Sequence, residues 1–468
     1  MQLHNPEELQ SLISEYGKMK AFDGYSAQTR GQALNELIAK MFTCWGLEAE
    51  SNVRHKNGKG ETDTITTINS KHYIIEVKWE QKKTDTGDIA KLQKRVRQRI
   101  EGTTGIFISI AGYSPEAIAD LTDGERLSII CLDETHLEAM LSGFVPPEEM
   151  ITKLLKKASL EGIAYSAIEN LHRNNPSTTN EIKFTTPPEL KPVIEAAPTN
   201  FDLETVLSNI PFGQYGLATR NDNELIITTM DGIHLADHKK SSLHTLLNFP
   251  LCQGSALLDN EGNIFIRRYA GVGKLSDGKL TFVGGGLLHG PNLMLHPDNT
   301  VRLISYTSEN DRIAKTIIST LGAELGFQKN NYIDMRPFDF NTGCYASDGE
   351  LVIFGNGGTL VFSEDTRKVI RDYESRSITN PNGITRSGDY DVFVCGNDTT
   401  IFKFNTKTKE QIPILDLKIN GSCHALCHSS NGDFYYWGHY QTTNQDTKGC
   451  VLRWRLPETE GSSTSESP

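Results

Sequence analysis

Long apolar runs are missing from this 468-residue chain. None approaches the about 18 residues that a bilayer-spanning helix needs, which excludes such a helix. The first residues, Met1-Gln2-Leu3-His4-Asn5-Pro6-Glu7-Glu8, have no basic stretch and no apolar core, so no secretory leader is expected. Cysteine is sparse and unclustered, 8 in all, which argues against a disulfide scaffold and for reduced thiols in a cytoplasmic protein. Basic charge is short as well: 47 Lys and Arg face 59 Asp and Glu, a formal net charge of −12. Non-specific affinity for nucleic acid comes from neutralised phosphates, so this chain should hold bare nucleic acid weakly unless it is assembled or activated. Residues 1–173 are mildly acidic too, with 21 basic and 25 acidic side chains. A phosphate loop is also lacking. Gly271-Val272-Gly273 and Gly284-Gly285-Gly286 have no following helix and no Gly-Lys-Ser/Thr, and they are expected to be hairpin turns.

What is present is an ordinary globular balance, 37% hydrophobic and 23% charged, over a length that suggests two domains. Asn5-Pro6-Glu7-Glu8 reads as a helix start, with a capping Asn, Pro in the first turn and acids beside it. Leu34, Leu37, Ile38, Met41, Phe42 and Trp45 recur at helical spacing and stop before Gly46. Further on, 86–101 and 114–121 read as helices, 105–110 and 127–132 as strands, and 147–172 as helical again, a surface for packing or self-association. Residues 174–200 carry five prolines and no periodicity, and read as a linker. The tail 459–468 is disordered by composition.

Between linker and tail, over 201–458, helical patterns give way to short strands separated by tight turns. The unit strand–turn–strand recurs, with a turn Gly or Asn near 222, 262, 299, 349, 388 and 432. Six copies at that spacing suit the blades of a β-propeller of about six blades; a β-sandwich with insertions is the competing arrangement. Cys423-His424-Ala425-Leu426-Cys427-His428 looks like a metal motif, but in a strand the two Cys lie ~13 Å apart, so they are assigned to packing. The Pro-Asn turns at 291–292 and 381–382 lack a complete set of partner carboxylates.

The chemistry lies nearer the N-terminus. Gly60-Glu61-Thr62-Asp63 is followed by the apolar run Tyr73-Ile74-Ile75, which ends in Glu76-Val77-Lys78. Strand alternation puts Glu76 and Lys78 on one face. A continuously apolar strand reads as buried on both sides, and such a strand should not end in a Glu and a Lys without a reason. If the segment of Asp63 pairs with it as a hairpin, two carboxylates and an ammonium converge. That set suits Mg²⁺, with Mn²⁺ as an alternative, and the Lys can orient or help deprotonate an attacking water. Lys91, Lys94, Arg95, Arg97 and Arg99 concentrate positive charge just beyond, either as a nucleic-acid-binding face or as a solvated helix.

Taken in order, Arg30-Gly31-Gln32-Ala33-Leu34-Asn35-Glu36-Leu37, Asp63, Glu76-Val77-Lys78-Trp79, Gly105-Ile106-Phe107-Ile108-Ser109 and Gly112-Tyr113-Ser114 resemble the PD-(D/E)xK, restriction-endonuclease-like nucleases of the Mrr type. The resemblance covers about residues 25–165. It implies an α/β core in which Asp63 and Glu76 bind the divalent metal and Lys78 serves the water, with Glu36 or Asn35 at the place of a first-helix carboxylate. The turn reads Gly-Glu-Thr-Asp where the family often has Pro-Asp. The expected protein is thus a metal-dependent DNA endonuclease coupled to an all-β propeller. As a gated effector of prokaryotic restriction or anti-phage defence, it would use the propeller to sense a protein or ligand trigger and would act as a homo-oligomer without a membrane partner. The alternatives are a restriction enzyme whose propeller reads modified DNA, and a non-catalytic scaffold with a degenerate nuclease domain.

Overall fold

The structure is a computed structural model. It describes residues 3–54, 61–122, 126–172, 186–198, 201–210, 216–229, 231–240, 242–249, 256–285, 289–309, 312–322, 327–333, 340–355, 358–364, 368–373, 381–396 and 399–457. The chain divides into two compact units. The first comprises Met1–Arg173 with Asn263–His289 and Ser319–Asn330; the second holds Asn174–Gly262, Gly290–Ile318 and Asn331–Pro468.

The N-terminal α/β region begins with α1 (Pro6–Ala21) and α2 (Ala27–Cys44). Asn5 caps α1 by accepting from the Glu8 amide, with Pro6 in the first turn, while Ser26 and Thr29 form a capping box on α2. Strands β1 (Glu48–Arg54), β2 (Glu61–Ile68) and β3 (Lys71–Lys78) follow. Then come α3 (Thr86–Arg97), β4 (Thr104–Ser109), α4 (Pro115–Thr122) and β5 (Ile129–Asp133). Helices α5 (Glu134–Leu141), α6 (Pro147–Glu161) and α7 (Ile168–His172) complete the region. The five strands lie in chain order in one sheet. β1, β2 and β3 are antiparallel; β3, β4 and β5 are parallel.

Two residues make the β2–β3 hairpin. Ile68 pairs with Lys71, and Asn69 and Ser70 between them have φ of 50° and 60°. Two left-handed residues in a two-residue loop are the type I′ turn, whose twist matches that of the strands. α2 covers one face of the sheet, where Thr64 donates to the carbonyl of Asn35 at 3.2 Å. α3 covers the other, packing Ile89, Leu92 and Val96 on Ile74 and Phe107. Tyr73, Ile74 and Ile75 are all buried, as a strand covered on both faces requires.

The expected 147–172 helix is interrupted. α6 ends at Gly162, which adopts φ 69°, and α7 resumes at Ile168. Ile151 and Leu154 are buried, while Leu160 is 73% exposed. The sequence reading passed over α5, although Asp133 and His136 form a capping box at its start.

The rest of the chain forms a six-bladed β-propeller: six four-stranded sheets, five of them with consecutive strands as neighbours. The last sheet closes across the chain, because Glu204–Ile210 pairs with Thr447–Arg455 as its outer strand. Aromatic side chains fill the sheets of the closing region. Phe434, Tyr436 and Trp454 lie in one cluster, Tyr435 and Trp437 in its neighbour.

Of the expected linker, 174–185 and 199–200 lie outside the described residues, as does the tail 459–468. Its remainder carries a short helix, α8 (Lys191–Glu195), and Leu190 is buried in the same cluster as Trp454. Gly271-Val272-Gly273 does not make a hairpin turn, and Gly286 of the second expected turn lies outside the described residues. Gly271 and Gly273 lie within the strand Gly271–Ser276, and Gly284 and Gly285 within Lys279–Gly285. At Gly271 a Cβ would stand 2.4 Å from the backbone nitrogen of Phe144, so this position is small because another segment of the first unit passes against it. The Cys423–Cys427 motif is packing, as expected, with a feature the sequence did not suggest. A register shift between Cys423 and Ala425 sends the two sulfurs into different clusters. None of the described cysteines forms a disulfide. No described helix is long and apolar enough to cross a membrane.

Candidate active site

Continuing the β2–β3 register one step beyond Thr64 and Ile75 sets Asp63 opposite Glu76. Residues directly opposite in an antiparallel pair share a face, so the two carboxylates look the same way. Asp63 is fixed by its own hairpin: its Oδ2 accepts from the Val77 amide at 2.9 Å. Lys78 lies on the same face, two residues beyond Glu76.

Helix α3 crosses this face. Asp85 caps it, its Oδ1 accepting from the Gly87 amide at 3.1 Å and the Asp88 amide at 3.3 Å. With Ile89, Leu92 and Val96 turned into the core, the adjoining stripe Asp88, Lys91 and Arg95 follows at helical spacing. Arg95 donates from Nη1 to Oε2 of Glu76. Asp88 accepts from Lys78, and its other oxygen from Lys91 at 3.0 Å. Glu80 completes the surroundings of Lys78 at 3.3 Å. The result is two acid–base pairs side by side, Glu76 with Arg95 and Lys78 with Asp88.

Burial, and then the facing Asp63 carboxylate, push the Glu76 carboxyl up to about 7, with Arg95 and Lys91 opposing. Lys78 goes the other way from a typical buried amine. Burial pulls it down, but the hydrogen bonds and charges of Asp88 and Glu80 outweigh that and raise it. Asp88 is lowered, first by its bond from Lys78. Lys78 is therefore an ammonium at neutral pH, suited to stabilising negative charge rather than to taking a proton.

The candidate residues do not all converge. Asp63, Glu76 and Lys78 do, joined by Lys91 and Arg95 from the expected basic group. Lys94, Arg97 and Arg99 are exposed farther along α3 and just past its end. Glu36 is exposed on α2, which covers the opposite face of the sheet; its neighbour Asn35 is the buried one, donating to Asn52 at 3.3 Å. The structure does not bring Glu36 to the Asp63–Glu76 pair. Sequence reasoning missed Asp88 and Glu80. Asp88 had a signal: it stands seven residues before Arg95 on the same helix.

Two facing carboxylates are a hard-oxygen set that fits a divalent cation. Asp63 and Glu76 are the residues that would hold it. Among the described residues no group of three His, Cys, Asp or Glu side chains gathers as a metal site, so any remaining ligands would be water or substrate oxygens.

Residues 27–141 match the family model Mrr_cat, described as restriction endonuclease. This chain therefore carries a restriction-endonuclease domain of the Mrr type followed by a six-bladed β-propeller. None of the curated proteins matches it. Among solved structures, a gluconolactonase from Xanthomonas campestris is similar at 13% identity and TM-score 0.43, over 56% of this chain and 92% of that one. A streptogramin B lyase shows 16% identity and TM-score 0.39, over 55% of this chain and 98% of that one. The WD40 propeller domain of Doa1 shows 13% identity and TM-score 0.38, over 57% and 99%.

Proposed function

We propose that this protein is a metal-dependent DNA endonuclease whose Asp63, Glu76 and Lys78 form the hydrolytic centre. The observation that carries the reading is the convergence of Asp63 and Glu76 across one hairpin, with the Lys78 ammonium beside them. Mg²⁺ or Mn²⁺ bound there would supply Lewis-acid polarisation of the phosphate and activation of water. The chain's own residues do the rest. Asp63 and Glu76 would hold the cation against the sheet. Lys78, kept charged by Asp88 and Glu80, is placed to stabilise the charge that builds on the phosphoryl oxygens. Arg95 must release Glu76 before both oxygens of that carboxylate can act.

The wider reading is a gated effector. An acidic nuclease whose two key groups are each held in an ion pair is a poor binder of bare DNA, and a six-bladed propeller offers a rigid face for a partner. We assign to the propeller the sensing of a trigger in prokaryotic restriction or anti-phage defence. Two-sided cleavage needs two centres, so the active form is at least a dimer.

The test incubates full-length protein with plasmid and Mg²⁺, with and without lysate from phage-infected cells. Cleavage that appears with the lysate and is absent in Glu76→Ala supports the reading. Equal nicking by Glu76→Ala and the unaltered protein would remove the site. Full cleavage without lysate would remove the gating.

A further inference from the structure

The second feature lies on the α2 side of the same strand. Arg30, in the first turn of α2, is 6% exposed, and its guanidinium lies over two aromatic rings. It stands 4.1 Å from the ring centre of Phe22 and 4.4 Å from that of Trp79. Among the described residues its Nε is buried with no hydrogen-bond acceptor. That is an unusual state for a guanidinium. Two π-faces satisfy its faces but none of its in-plane N–H donors, and a buried Arg ordinarily finds a carboxylate or carbonyl. The stacking keeps the group flat and fixed; Nε is sealed from solvent, so a ligand would meet the pair of Nη donors at the end of the fork. That is the geometry that two oxygens of a phosphate accept.

The surroundings point to where such a phosphate would come from. Trp79 directly follows Lys78, so the stacked arginine sits at the strand end that carries the proposed hydrolytic centre. Phe22 is 49% exposed and has φ 57°, a conformation that non-glycine residues adopt at a cost. It is held there as the left-handed cap of α1, its amide and the next closing on Met19 and Lys18. An exposed aromatic kept in a strained conformation against a buried, under-satisfied cation is a seat rather than a core contact. We propose that Phe22, Arg30 and Trp79 form a binding site for a backbone phosphate of the DNA strand. This rests on the nuclease reading above and adds a second, non-catalytic anchor to it.

The experiment uses the full chain, with Arg30→Met, Arg30→Lys and Phe22→Ala beside the unaltered protein. Thermal unfolding is followed with and without inorganic phosphate. Duplex DNA affinity is measured in Ca²⁺ across a salt series. Arg30→Met should melt no lower than the unaltered protein, because an under-satisfied buried charge is replaced by an apolar side chain of similar length. It should lose the stabilisation by phosphate and bind DNA roughly tenfold more weakly, with the slope of log affinity against log salt reduced by about 1. Arg30→Lys should restore the salt slope in part, and Phe22→Ala should weaken binding without altering it.

A lower melting temperature in Arg30→Met with the phosphate effect and salt slope intact would make Arg30 an internal stacking residue and overturn the proposal. Loss of the phosphate effect with an unchanged DNA slope would overturn the assignment to DNA and leave a seat for a free phosphate ester. Unaltered protein that binds no duplex at low salt would overturn it as well. The nuclease reading fails separately: a chain that shows every expected Arg30 effect and still cleaves as Glu76→Ala would keep the seat and lose the hydrolytic centre.

Discussion

The guanidinium of Arg95, on helix α3, holds the carboxylate of Glu76, on strand β3, and about two helical turns away Asp88 holds Lys78 in the same manner. The helix thus presents to the strand a charge pattern complementary to its own. Whatever binds the site competes with that pattern, and each pairing gives a measurable consequence.

The Glu76 carboxyl, lifted to about 7 by burial and by Asp63, must lose its proton to take a cation. Ca²⁺ affinity measured by calorimetry should therefore fall on acidification below about pH 7, approaching tenfold per unit. Asp63→Asn removes a charge that raises Glu76 and should move its titration down; Arg95→Ala removes one that lowers it and should move it up. Isotope-edited NMR of the Glu76 carboxyl in metal-free protein reads both shifts. Movement of both variants in the same direction would contradict this electrostatic account.

Asp88→Asn should cut cleavage severely while leaving the fold intact. The lysine would lose the partner that contributes most to keeping it charged and oriented. A drop in turnover of about 10²-fold, with a melting temperature within a few degrees of the unaltered protein, is the expected result. Unchanged turnover would show that Glu80 alone suffices.

Glu149→Ala should unfold the first unit more easily. Arg268 is fully buried; it donates to the carbonyl of Phe144 at 3.1 Å and to Glu149 at 2.6 Å. Removing the carboxylate takes the neutralising charge from a buried cation, at a cost of about 3–5 kcal/mol. Gly271→Ala should be comparably damaging, because its Cβ would press on the Phe144 backbone. Urea denaturation of the two variants and the unaltered protein checks both.

Acid should weaken the propeller through its buried histidines. Burial lowers His234 and His424 to about 4, the latter also through His439. A histidine depressed in the folded state takes up its proton more readily once unfolded. Stability is thus fully present above about pH 6.5 and is lost as pH falls from there toward 4. Denaturant unfolding at pH 7.5 and pH 5.5 should differ by about 2 kcal/mol, and His234→Gln should shrink the difference. A flat profile would mean that both rings are accessible to protons in the folded state.

Much of this was legible in the chain. The turn residues read as blade markers fall between the first and second strands of the six sheets: the turn at 222–223 in the first, then Gly262, Asn299, Gly349, Gly388 and Gly432. Those five take positive φ, the backbone requirement that makes Gly or Asn visible in a sequence. The hairpin joining Asp63 to Glu76 was legible only as a condition, since a continuously apolar strand marks burial but does not fix register. Asp88 and Glu80 were harder to see, because an acid near a lysine in sequence is ordinary until a helix turns it inward. Gly271 was misread because its smallness answers to Phe144, more than a hundred residues away, and nothing local records that. The outer strand Glu204–Ile210 gave no sign of its partner either, for pairing across the whole ring leaves no local pattern.

That pairing sets an order of events at synthesis. The strand that begins the propeller finds its hydrogen-bonding partner only when Thr447–Arg455 has been made. At about 5–20 residues per second, the intervening stretch takes roughly 12–50 seconds, during which the ring stands open. An unpaired outer strand is a sticky edge. Chains halted short of the final strand should therefore clump and be cleared, so that the cell accumulates the nuclease chiefly from messages read through to the closing strand.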